Sequence, residues 1–518
     1  MHNAKFDMTG TENLFDFRFD DDYPFHDTFV LSNLIQNNHP DHKLKNLAWE
    51  LAGITKDDEK AIKGYANYSL VPEYLMDEYQ HQDAVRTMLL FRFFLPRMEK
   101  LGLQEIYETE LKLERATMNM ERHGIMLNIE AALAYIEELK RDAEKVLDDL
   151  ERYCGRRINP HRDVHVRWLL YEFEKLPVLA RTPKTGEPTT KKEFLLELNA
   201  KKESPAIIML LKARSWLKGI TTLKKYIELA DEYGIIHPEI KTLGAKTGRE
   251  SCKTPNLQNV AKATTLMNPF PIKARKVFRP RPGHINFHID YAGIELRLLV
   301  HYSGDEAMVA ELNKPDGDPH ALAAETFYLD TFKKAKGARR KQLRDAAKNA
   351  NFAIPYGASA RQMSKTLGFY GSEAVNAYNR YRNRFPRLAS FQRDIMRQVR
   401  EQGHIKTFFG RILHIAPEKA YVGANYLIQG TAAGVLKRAQ VRVEPFLRKE
   451  TSGEVKPLLP IHDEIIIEYP RRRLKEAREI MKGVKNLMED FHFKIPMEVE
   501  FDVATANWED KKEFKMES

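Results

Sequence analysis

Two strand-like stretches that end at acidic residues, separated by a long helix-rich segment, most constrain how this chain can fold. Residues 285–290 alternate apolar and polar side chains and end at Asp290, and apolar residues surround Asp463 within 458–467. Such patterns predict β-strands, and the second one predicts a tight hairpin with Asp463 and Glu464 at its turn. Strands that flank a helical insertion are typical of an α+β fold rather than a regular βαβ repeat.

The length and composition predict a multidomain cytosolic protein. At 518 residues the chain is too long for one simple core. The only cysteines, Cys154 and Cys252, do not have the spacing of metal ligands, and we expect no disulfide. The apolar runs are far too short to span a membrane, and the amino terminus lacks the layout of a secretion signal.

The net charge of +10 is concentrated in two basic clusters, within residues 273–281 and 333–341. A clustered positive surface suits a phosphate backbone, because binding releases the counterions of the nucleic acid. A solvated basic face without any partner explains the charge equally well. Charge alone therefore leaves nucleic-acid binding undecided.

Asp290 and Asp463 together predict a site for divalent metals. Two Mg²⁺ ions about 3.5–4 Å apart can neutralise a phosphate, activate a hydroxyl nucleophile and stabilise a leaving pyrophosphate. Magnesium prefers carboxylate oxygens. A lone acid at a strand end is more often a simple turn residue, so the interpretation depends on the two strands pairing.

A stripe of two cations and two aromatic rings predicts a nucleotide-binding helix. The stripe consists of Arg344, Lys348, Phe352 and Tyr356. Four-residue steps keep these side chains on one slowly turning helix face, where cations suit phosphates and rings suit a base. A surface helix anchored by its aromatic residues is the alternative. Gly357 is expected to end the helix, and Pro355 to distort its last turn.

These residues resemble the signatures of the family A DNA polymerases, the group of bacterial DNA polymerase I and several bacteriophage replicases. Residues 290–297 are similar to motif A, residues 344–357 to motif B, and residues 462–464 to motif C. Residues 247–259 and 429–433 also match, in the same order. Five motifs in order over this span are far more specific than any one of them.

The resemblance implies a multidomain α+β protein with the right-hand fold, in which an antiparallel palm sheet lies between helical fingers and thumb. It covers residues 105–518. We expect the thumb at about residues 105–235, the palm at about 236–319 and 435–518, and the fingers at about 320–434.

The resemblance also implies a role for each matching residue. Asp290 and Asp463 would hold two Mg²⁺ ions, with Glu464 in support. Lys348 is a candidate proton donor to the leaving pyrophosphate. The deoxynucleoside triphosphate would contact Arg344, Lys348, Phe352, Tyr356, His320 and Glu295. Primer–template DNA would contact Arg249, Gln258, Asn425, Gln429 and His462.

The resemblance also implies how the protein selects its substrate, where it works and with which partners. Glu295 would crowd the 2′ position of the sugar and reject ribonucleotides. We expect a monomer in the cytoplasm of a bacterium or phage-infected host, with a replisome or processivity factor as a candidate partner. Where the family usually has Ser-Gln in motif A, this chain has Ala292-Gly293, and Asp345 replaces an arginine of motif B. These departures bear on fidelity and rate rather than on metal binding.

The first hundred residues show a second resemblance, to the proofreading 3′–5′ exonuclease domain. Residues 3–7, ending at Asp7, are similar to its second motif, and Tyr79 with Asp83 to its third. The first motif, a paired Asp-x-Glu, has no place before Asn3. We therefore expect residues 1–104 to be a truncated, ribonuclease H-like exonuclease domain without a competent proofreading site. An acidic helical appendage with chance aspartates is the alternative.

Three other classes of protein share part of this pattern. A metal-dependent nuclease accounts for the two acids but not for the motif B stripe. A single-subunit RNA polymerase accounts for the stripe but not for Glu295. A catalytically impaired DNA-binding relative accounts for the fold, but not for the intact acids and cations. Primer extension with deoxynucleotides and then ribonucleotides separates these alternatives.

Overall fold

The computed structural model describes residues 1–15, 17–20, 23–260, 270 and 272–516. Within them, the amino-terminal region contains five helices: α1 (Ala4–Phe15), α2 (Thr28–Ile35), α3 (Leu44–Ala52), α4 (Asp57–Ile62) and α5 (Glu73–Lys100). Helix α5 packs against α2, α3 and α4 around Leu31 and Phe94, which are fully buried. The described part of residues 1–104 contains no strand, so this region presents only helices.

Helix α1 is fastened to the rest of the protein by a buried lysine. The ammonium of Lys5 donates to the hydroxyl of Thr117 (3.0 Å) and the carbonyl of Ile240 (2.5 Å). It also lies 2.8 Å from the carboxylate of Glu121. A buried ammonium is tolerated only when its donors are satisfied in this way. The first helix is therefore an integral part of the main body.

The helical spacing of Ile136, Leu139 and Val146 predicts one long amphipathic helix from about Leu111 to Leu150, and this prediction is wrong. Two helices occupy this segment, α6 (Gln104–His123) and α7 (Ile129–Cys154), with the short strand β1 (Ile125–Met126) between them. Gly124 ends α6 with φ of +64°, where a side chain would collide with the backbone carbonyl of Ile236. The chain thus turns to form a strand before a new helix begins.

The polar composition of residues 155–200, rich in lysine, threonine and proline, predicts an exposed, mobile tip, and this prediction is also wrong. The segment folds into α8 (Asp163–Arg167), a π-helical turn (Trp168–Phe173) and α9 (Lys192–Lys201). Leu170 and Leu195 are fully buried in a small core shared with α10 (Pro205–Leu229). A polar composition concealed a few apolar side chains that are sufficient for a local core.

The strands, among the described residues, form one main sheet and three small pairs. After β1 they are β2 (Ile235–Ile236), β3 (Glu239–Lys241), β4 (Ser251–Lys253), β5 (His284–Tyr291), β6 (His404–Lys406), β7 (Ile412–His414), β8 (Lys456–Ile461), β9 (Glu464–Pro470), β10 (Val499–Ala504) and β11 (Lys512–Glu513). The main sheet has the order β11-β10-β5-β9-β8, and its paired neighbours run antiparallel. Strand β5 is therefore central.

The remaining helices surround this sheet. They are α11 (Ile294–Ser303), α12 (Glu306–Leu312), α13 (Pro319–Tyr328), α14 (Asp330–Lys334), α15 (Gly337–Ala353), α16 (Ala360–Leu367), α17 (Gly371–Arg384), α18 (Pro386–Gln402), α19 (Gly423–Glu450) and α20 (Ala477–Glu489). Of the helices in the described ranges, none is long and apolar enough to cross a bilayer.

The two faces of the sheet are buried in different cores, which fixes the register of its strands. Ile465 and Ile467 face a core that also contains side chains of α19 and α20, whereas Ile466 faces a second core with Phe278 and Trp508. Each fully buried isoleucine contributes about 1.5–3 kcal/mol, and a slip by one residue would exchange the two faces. The register therefore places functional side chains reliably at the sheet edge.

Candidate active site

The two acids predicted to bind metal meet where the central strands of the main sheet end; this end of the strands is called the sheet edge below. Asp290 is next to last in the central strand β5 and lies opposite Glu464, the first residue of β9. Asp463 occupies the two-residue turn between β8 and β9, and its carbonyl accepts from the amide of Tyr291 (3.2 Å). His462 adopts a left-handed φ of +57° in the same turn. The predicted strand pairing and hairpin are confirmed.

Asp290 and Asp463 lie close enough for each carboxyl group to perturb the pKa of the other. Burial, followed by the negative charges of Asp463 and Glu464, raises the pKa of Asp290. Burial also raises the pKa of Asp463. Like charges held together in a partly buried place favour a proton or a cation between them. The Oδ1 atom of Asp290 is buried without a hydrogen-bond partner, as expected of a ligand atom that faces a cation.

Glu464 lies opposite Asp290 and is engaged by other partners. Its carboxylate accepts a hydrogen bond from Nδ1 of His288 and lies 3.6 Å from the ammonium of Lys511. Burial opposes ionisation, but His288, Lys511 and Arg275 outweigh it and lower the pKa of Glu464 to about 2. Glu464 is therefore a fixed anion beside the acid pair, held by side chains from β5 and from the segment before β11.

Helix α15 carries the predicted nucleotide-binding stripe, and it ends where the sequence predicts. Alanine, arginine, lysine and glutamine, which favour helix, dominate residues 337–353. Pro355 lies in a 3-10 turn (Ile354–Tyr356) that terminates the helix, and Gly357 follows with φ of +94°. A β-carbon on Gly357 would lie 1.9 Å from Oε1 of Gln392, so only glycine fits. The expected stop at Gly357 and the distortion by Pro355 are confirmed.

The first part of the stripe forms a cationic cluster with α13. Arg344 binds Asp318 through two hydrogen bonds, from Nε (2.6 Å) and Nη2 (3.0 Å). Asp318 also caps α13 by accepting from the amides of His320 and Ala321. Burial, then the positive charges of Arg344 and Lys348, lowers the pKa of His320 to about 4. The cluster therefore combines Arg344, which Asp318 fixes, with exposed Lys348 and a neutral imidazole, a combination suited to a polyphosphate.

Phe352 and Tyr356 lie farther along the same stripe. The ring of Phe352 is 5.7 Å from the ring of His320, measured between centroids. Tyr356 lies beside Glu295, since burial, followed by the charge of Glu295, raises the pKa of its hydroxyl. The carboxylate of Glu295 is 2.8 Å from the guanidinium of Arg249. Phe352 thus adjoins the phosphate cluster through His320, and Tyr356 adjoins Glu295, whose charge also raises the pKa of Asp463.

The other residues predicted to contact DNA lie on three elements around the sheet edge. Gln258 donates from Nε2 to the carbonyl of Pro460 on β8 (3.1 Å). Asn425 and Gln429 are one turn apart on α19 and are joined by a 3.0 Å hydrogen bond. His462 is exposed at the hairpin turn beside Asp463. Their contact with nucleic acid stays a prediction.

The residues that resemble exonuclease motifs have structural partners instead. Asp83 lies 2.9 Å from Arg86 and 3.9 Å from Lys45. The ammonium of Lys45 also lies 3.9 Å above the ring of Tyr79. Burial raises the pKa of Asp7 on α1. Within the residues that the structure describes, no group of three or more acidic, histidine or cysteine side chains is arranged to hold a metal.

Sequence reasoning missed three participants in the site. His288 and Lys511 fix Glu464, and Asp318 fixes Arg344. His288 is two residues before Asp290 in an alternating strand, so the pattern already places both side chains on one face. No local pattern identifies Lys511, because its partner Glu464 is distant in the sequence.

The chain is similar to several known proteins over most of its length. The family model described as DNA polymerase family A matches residues 130–510. The thermostable DNA polymerase I of Thermus filiformis is 30% identical over 451 residues, which cover 84% of this chain and 52% of that protein. DNA polymerase I of Pseudomonas aeruginosa is 28% identical over 506 residues, covering 94% and 54%. The chain therefore spans about half the length of these relatives.

A solved structure extends the likeness to the fold. The POL domain of Pol1 from M. smegmatis, in complex with DNA primer-template and dNTP, superposes with a TM-score of 0.81 at 22% identity. The match covers 98% of this chain and 85% of that one. The prediction of a multidomain α+β protein with the right-hand polymerase fold is confirmed. Since the family model spans well over half of the chain, this protein belongs to DNA polymerase family A.

Proposed function

We propose that this protein is a template-directed DNA polymerase that adds deoxynucleotides to a primer 3′ end. The observation that carries the proposal is the meeting of Asp290 and Asp463 at the sheet edge, with an unpartnered buried oxygen on Asp290. The names of the relatives and the primer-template and dNTP of the structural neighbour support the same function. A nuclease would not need the cationic stripe of α15.

Asp290 and Asp463 fit the task of holding two Mg²⁺ ions. Their donor set is purely oxygen, which magnesium prefers, and the ions would supply charge neutralisation to the attacking and leaving oxygens when bound. Glu464 is already committed to His288 and Lys511, so we assign it the role of a fixed anion that orients Asp290 rather than a metal ligand. This narrows the supporting role expected from the resemblance.

The phosphate cluster is proposed to bind the triphosphate of the incoming nucleotide. Asp318 orients the guanidinium of Arg344 through two of its nitrogens and leaves Nη1 directed to the ligand. A guanidinium fixed in advance loses little conformational freedom on binding. Neutral His320 can donate one hydrogen bond without further charge, and exposed Lys348 supplies the second cation or a proton for the pyrophosphate.

Glu295 is proposed to select deoxyribose. Its carboxylate is paired with Arg249 at 2.8 Å and its charge acts on the hydroxyl of Tyr356, so moving it aside for a 2′-hydroxyl would cost the ion pair. A site that cannot accommodate or pair an added polar group rejects it by about 1–3 kcal/mol or more. Phe352 and Tyr356 are proposed to flank the nascent base pair. Arg249, Gln258, Asn425, Gln429 and His462 are proposed to bind primer–template DNA.

The wider assignments rest on the same proposal. We place the thumb at about residues 105–235, the palm at about 236–319 and 435–518, and the fingers at about 320–434. Residues 1–104 are proposed to lack proofreading, since Asp83 and Tyr79 are engaged by Lys45 and Arg86. A monomeric cytoplasmic enzyme that works with a replisome or processivity factor is consistent with this function.

Primer extension tests the proposal directly. A labelled primer on a longer template, with Mg²⁺ and all four deoxynucleoside triphosphates, should be extended to the template end. Omitting one nucleotide should stop synthesis at the first position that requires it, which neither a nuclease nor a template-independent transferase would do. Primer shortening without extension, or no reaction while the primer–template is bound, would contradict the proposed function.

A further inference from the structure

Half of the net charge of the chain lies in sixteen consecutive residues around the junction of α14 and α15. Residues 330–345 contain seven basic and two acidic side chains, a net of +5 compared with +10 for all 518 residues. The phosphate cluster accounts for Arg344 alone, because Arg344 is paired with Asp318. The other six cations have no role in the site described above.

Five of these cations are exposed and form no ion pair within the described ranges: Lys333, Lys334, Lys336, Arg339 and Lys341. We call them the α14–α15 patch. Elsewhere on the surface, exposed arginines meet acids, as Arg157 does with Glu144 and Asp148. Seven cations within sixteen residues repel one another, so a polyanion that neutralises them would bind there favourably.

The patch has a rigid base. Phe332 is fully buried, and the guanidinium of Arg340 lies 4.2 Å from its ring centroid and donates to its carbonyl (3.1 Å). Lys336 precedes the first residue of α15, whose unsatisfied amides and dipole add partial positive charge. The cations therefore project from a fixed corner rather than a flexible loop.

The extent of the patch indicates what it binds. From Lys336 to Lys341 the helix advances about 7.5 Å at 1.5 Å per residue. A nucleic-acid strand presents one phosphate per ~3.4 Å, so this length matches about three backbone phosphates. The three phosphates of a nucleotide already have Arg344, Lys348 and His320. The patch lies at the amino-terminal end of α15, and Tyr356 lies beyond the other end. Tyr356 neighbours Glu295, which is paired with Arg249, one of the residues proposed to contact the primer.

We infer that the α14–α15 patch binds the phosphodiester backbone of the DNA strand ahead of the primer terminus. This inference rests on the proposed polymerase function and adds a second DNA contact, on the downstream side of the site. Binding there would hold the template overhang, or a downstream duplex, on the same rigid body that bears the triphosphate cluster.

The test compares two primer–templates that share one duplex, with either a single unpaired template nucleotide or a long single-stranded template overhang. Lys333→Gln/Lys334→Gln/Lys336→Gln should weaken binding to the long overhang by about tenfold near 0.1 M salt. It should also reduce the slope of log affinity against log salt by about 2, since each single-strand phosphate contact contributes ~0.7. Affinity for the short overhang, and the KM for the next nucleotide on it, should be unchanged.

A matched control removes the same charge from the palm helices. Lys449, Lys475 and Lys482 are exposed on or beside α19 and α20, and Lys449→Gln/Lys475→Gln/Lys482→Gln should not discriminate between the substrates. Equal weakening of both substrates by the patch variant, or a raised nucleotide KM with unchanged DNA affinity, would overturn the inference. Retained nucleotide insertion on the short overhang would leave the proposed function standing in either case.

Discussion

The two regions of the molecule that carry catalytic-looking motifs use them in opposite ways. At the sheet edge, Asp290 and Asp463 share a partly buried place, and within the described ranges neither forms an ion pair, although the charge of Lys511 acts on Asp290. In the amino-terminal helices, Asp83 is neutralised by Arg86 and Lys45. Arg86 is 1% exposed and also binds Asp58, so it belongs to a structural core.

The contrast shows that the acidic residues of a motif can form a metal site only where the surrounding fold does not already neutralise their charge. A carboxylate that already has two cationic partners gains little from a metal, whereas paired carboxylates gain much. The amino-terminal region retains the spacing of Tyr79 and Asp83 on one helix, but Asp83 and Asp58 are both paired with Arg86. The described residues there form no group of three side chains that could hold a metal.

The largest expected effect is on primer extension, and it distinguishes Asp463 at the main sheet from Asp83 in the amino-terminal helices. Asp463→Asn should reduce primer extension on the order of 10³-fold or more, because one carboxylate of the metal-binding pair is lost. Asp83→Asn should leave the extension rate of the folded enzyme unchanged. Single-turnover extension with DNA affinity measured in parallel provides the readout. If Asp463→Asn extended primers at the wild-type rate, the contrast between the regions would not hold.

Glu295→Ala should have the next largest effect, on sugar discrimination. Removing the side chain opens the 2′ position, so the preference for deoxynucleotides over ribonucleotides should fall by about 10–200-fold. Glu295→Gln retains the bulk and should preserve most of the preference. The measurement is the ratio of kcat/KM for the two sugars with one template base. Equal loss in both variants would assign the discrimination to charge rather than volume.

Substitutions of Arg344 and Arg86 should have smaller effects, the first on nucleotide binding and the second on stability. Arg344→Lys should raise the nucleotide KM by about tenfold, because an ammonium cannot satisfy Asp318 and a phosphate in the same geometry. Arg86→Lys should instead lower the free energy of unfolding, by about 3 kcal/mol, with the KM unchanged. Denaturant unfolding and steady-state kinetics on both variants check this. Similar kinetic effects from both would refute the division of roles.

The smallest effect concerns the junction of the two regions. Glu114 on α6 is 7% exposed, accepts a hydrogen bond from Thr242, and has a pKa that burial raises to about 7 from an ordinary 4.5. The folded state therefore binds the proton more tightly, so stability should decrease as pH rises from about 4.5 to 7, by at most about 3 kcal/mol. Glu114→Gln should flatten this dependence. Unfolding free energies at pH 5 and 8 provide the comparison, and a parallel decline in the variant would contradict it.

Much of the catalytic site could be predicted because its signals are local. Alternation in residues 285–290, apolar runs around Asp463 and the four-residue spacing of motif B each report a single element. Pro355 and Gly357 act through their own backbones, so the end of α15 was also predictable. These elements then needed only one strand pairing to bring the acids together.

The remainder depends on contacts between distant segments. The sequence of residues 155–200 predicts a mobile tip because its few apolar residues, such as Leu195, pack against α10 rather than against their neighbours in the sequence. The division of α6 from α7 depends on β1 pairing with β2, more than a hundred residues later. The commitment of Glu464 to His288 and Lys511 likewise requires the assembled sheet. Periodicity within one segment contains no information about such partners.

The anchoring of Lys5 bears on any attempt to shorten this enzyme to its polymerising portion. Trimming the first helix would leave Glu121 facing an interior from which its counterion had been withdrawn, and would remove the nearest cation from Glu114. A shorter version would therefore need both acids exchanged for neutral residues at the same time. Helix α1 therefore stabilises the domain that follows it, although its sequence resembles part of a truncated domain.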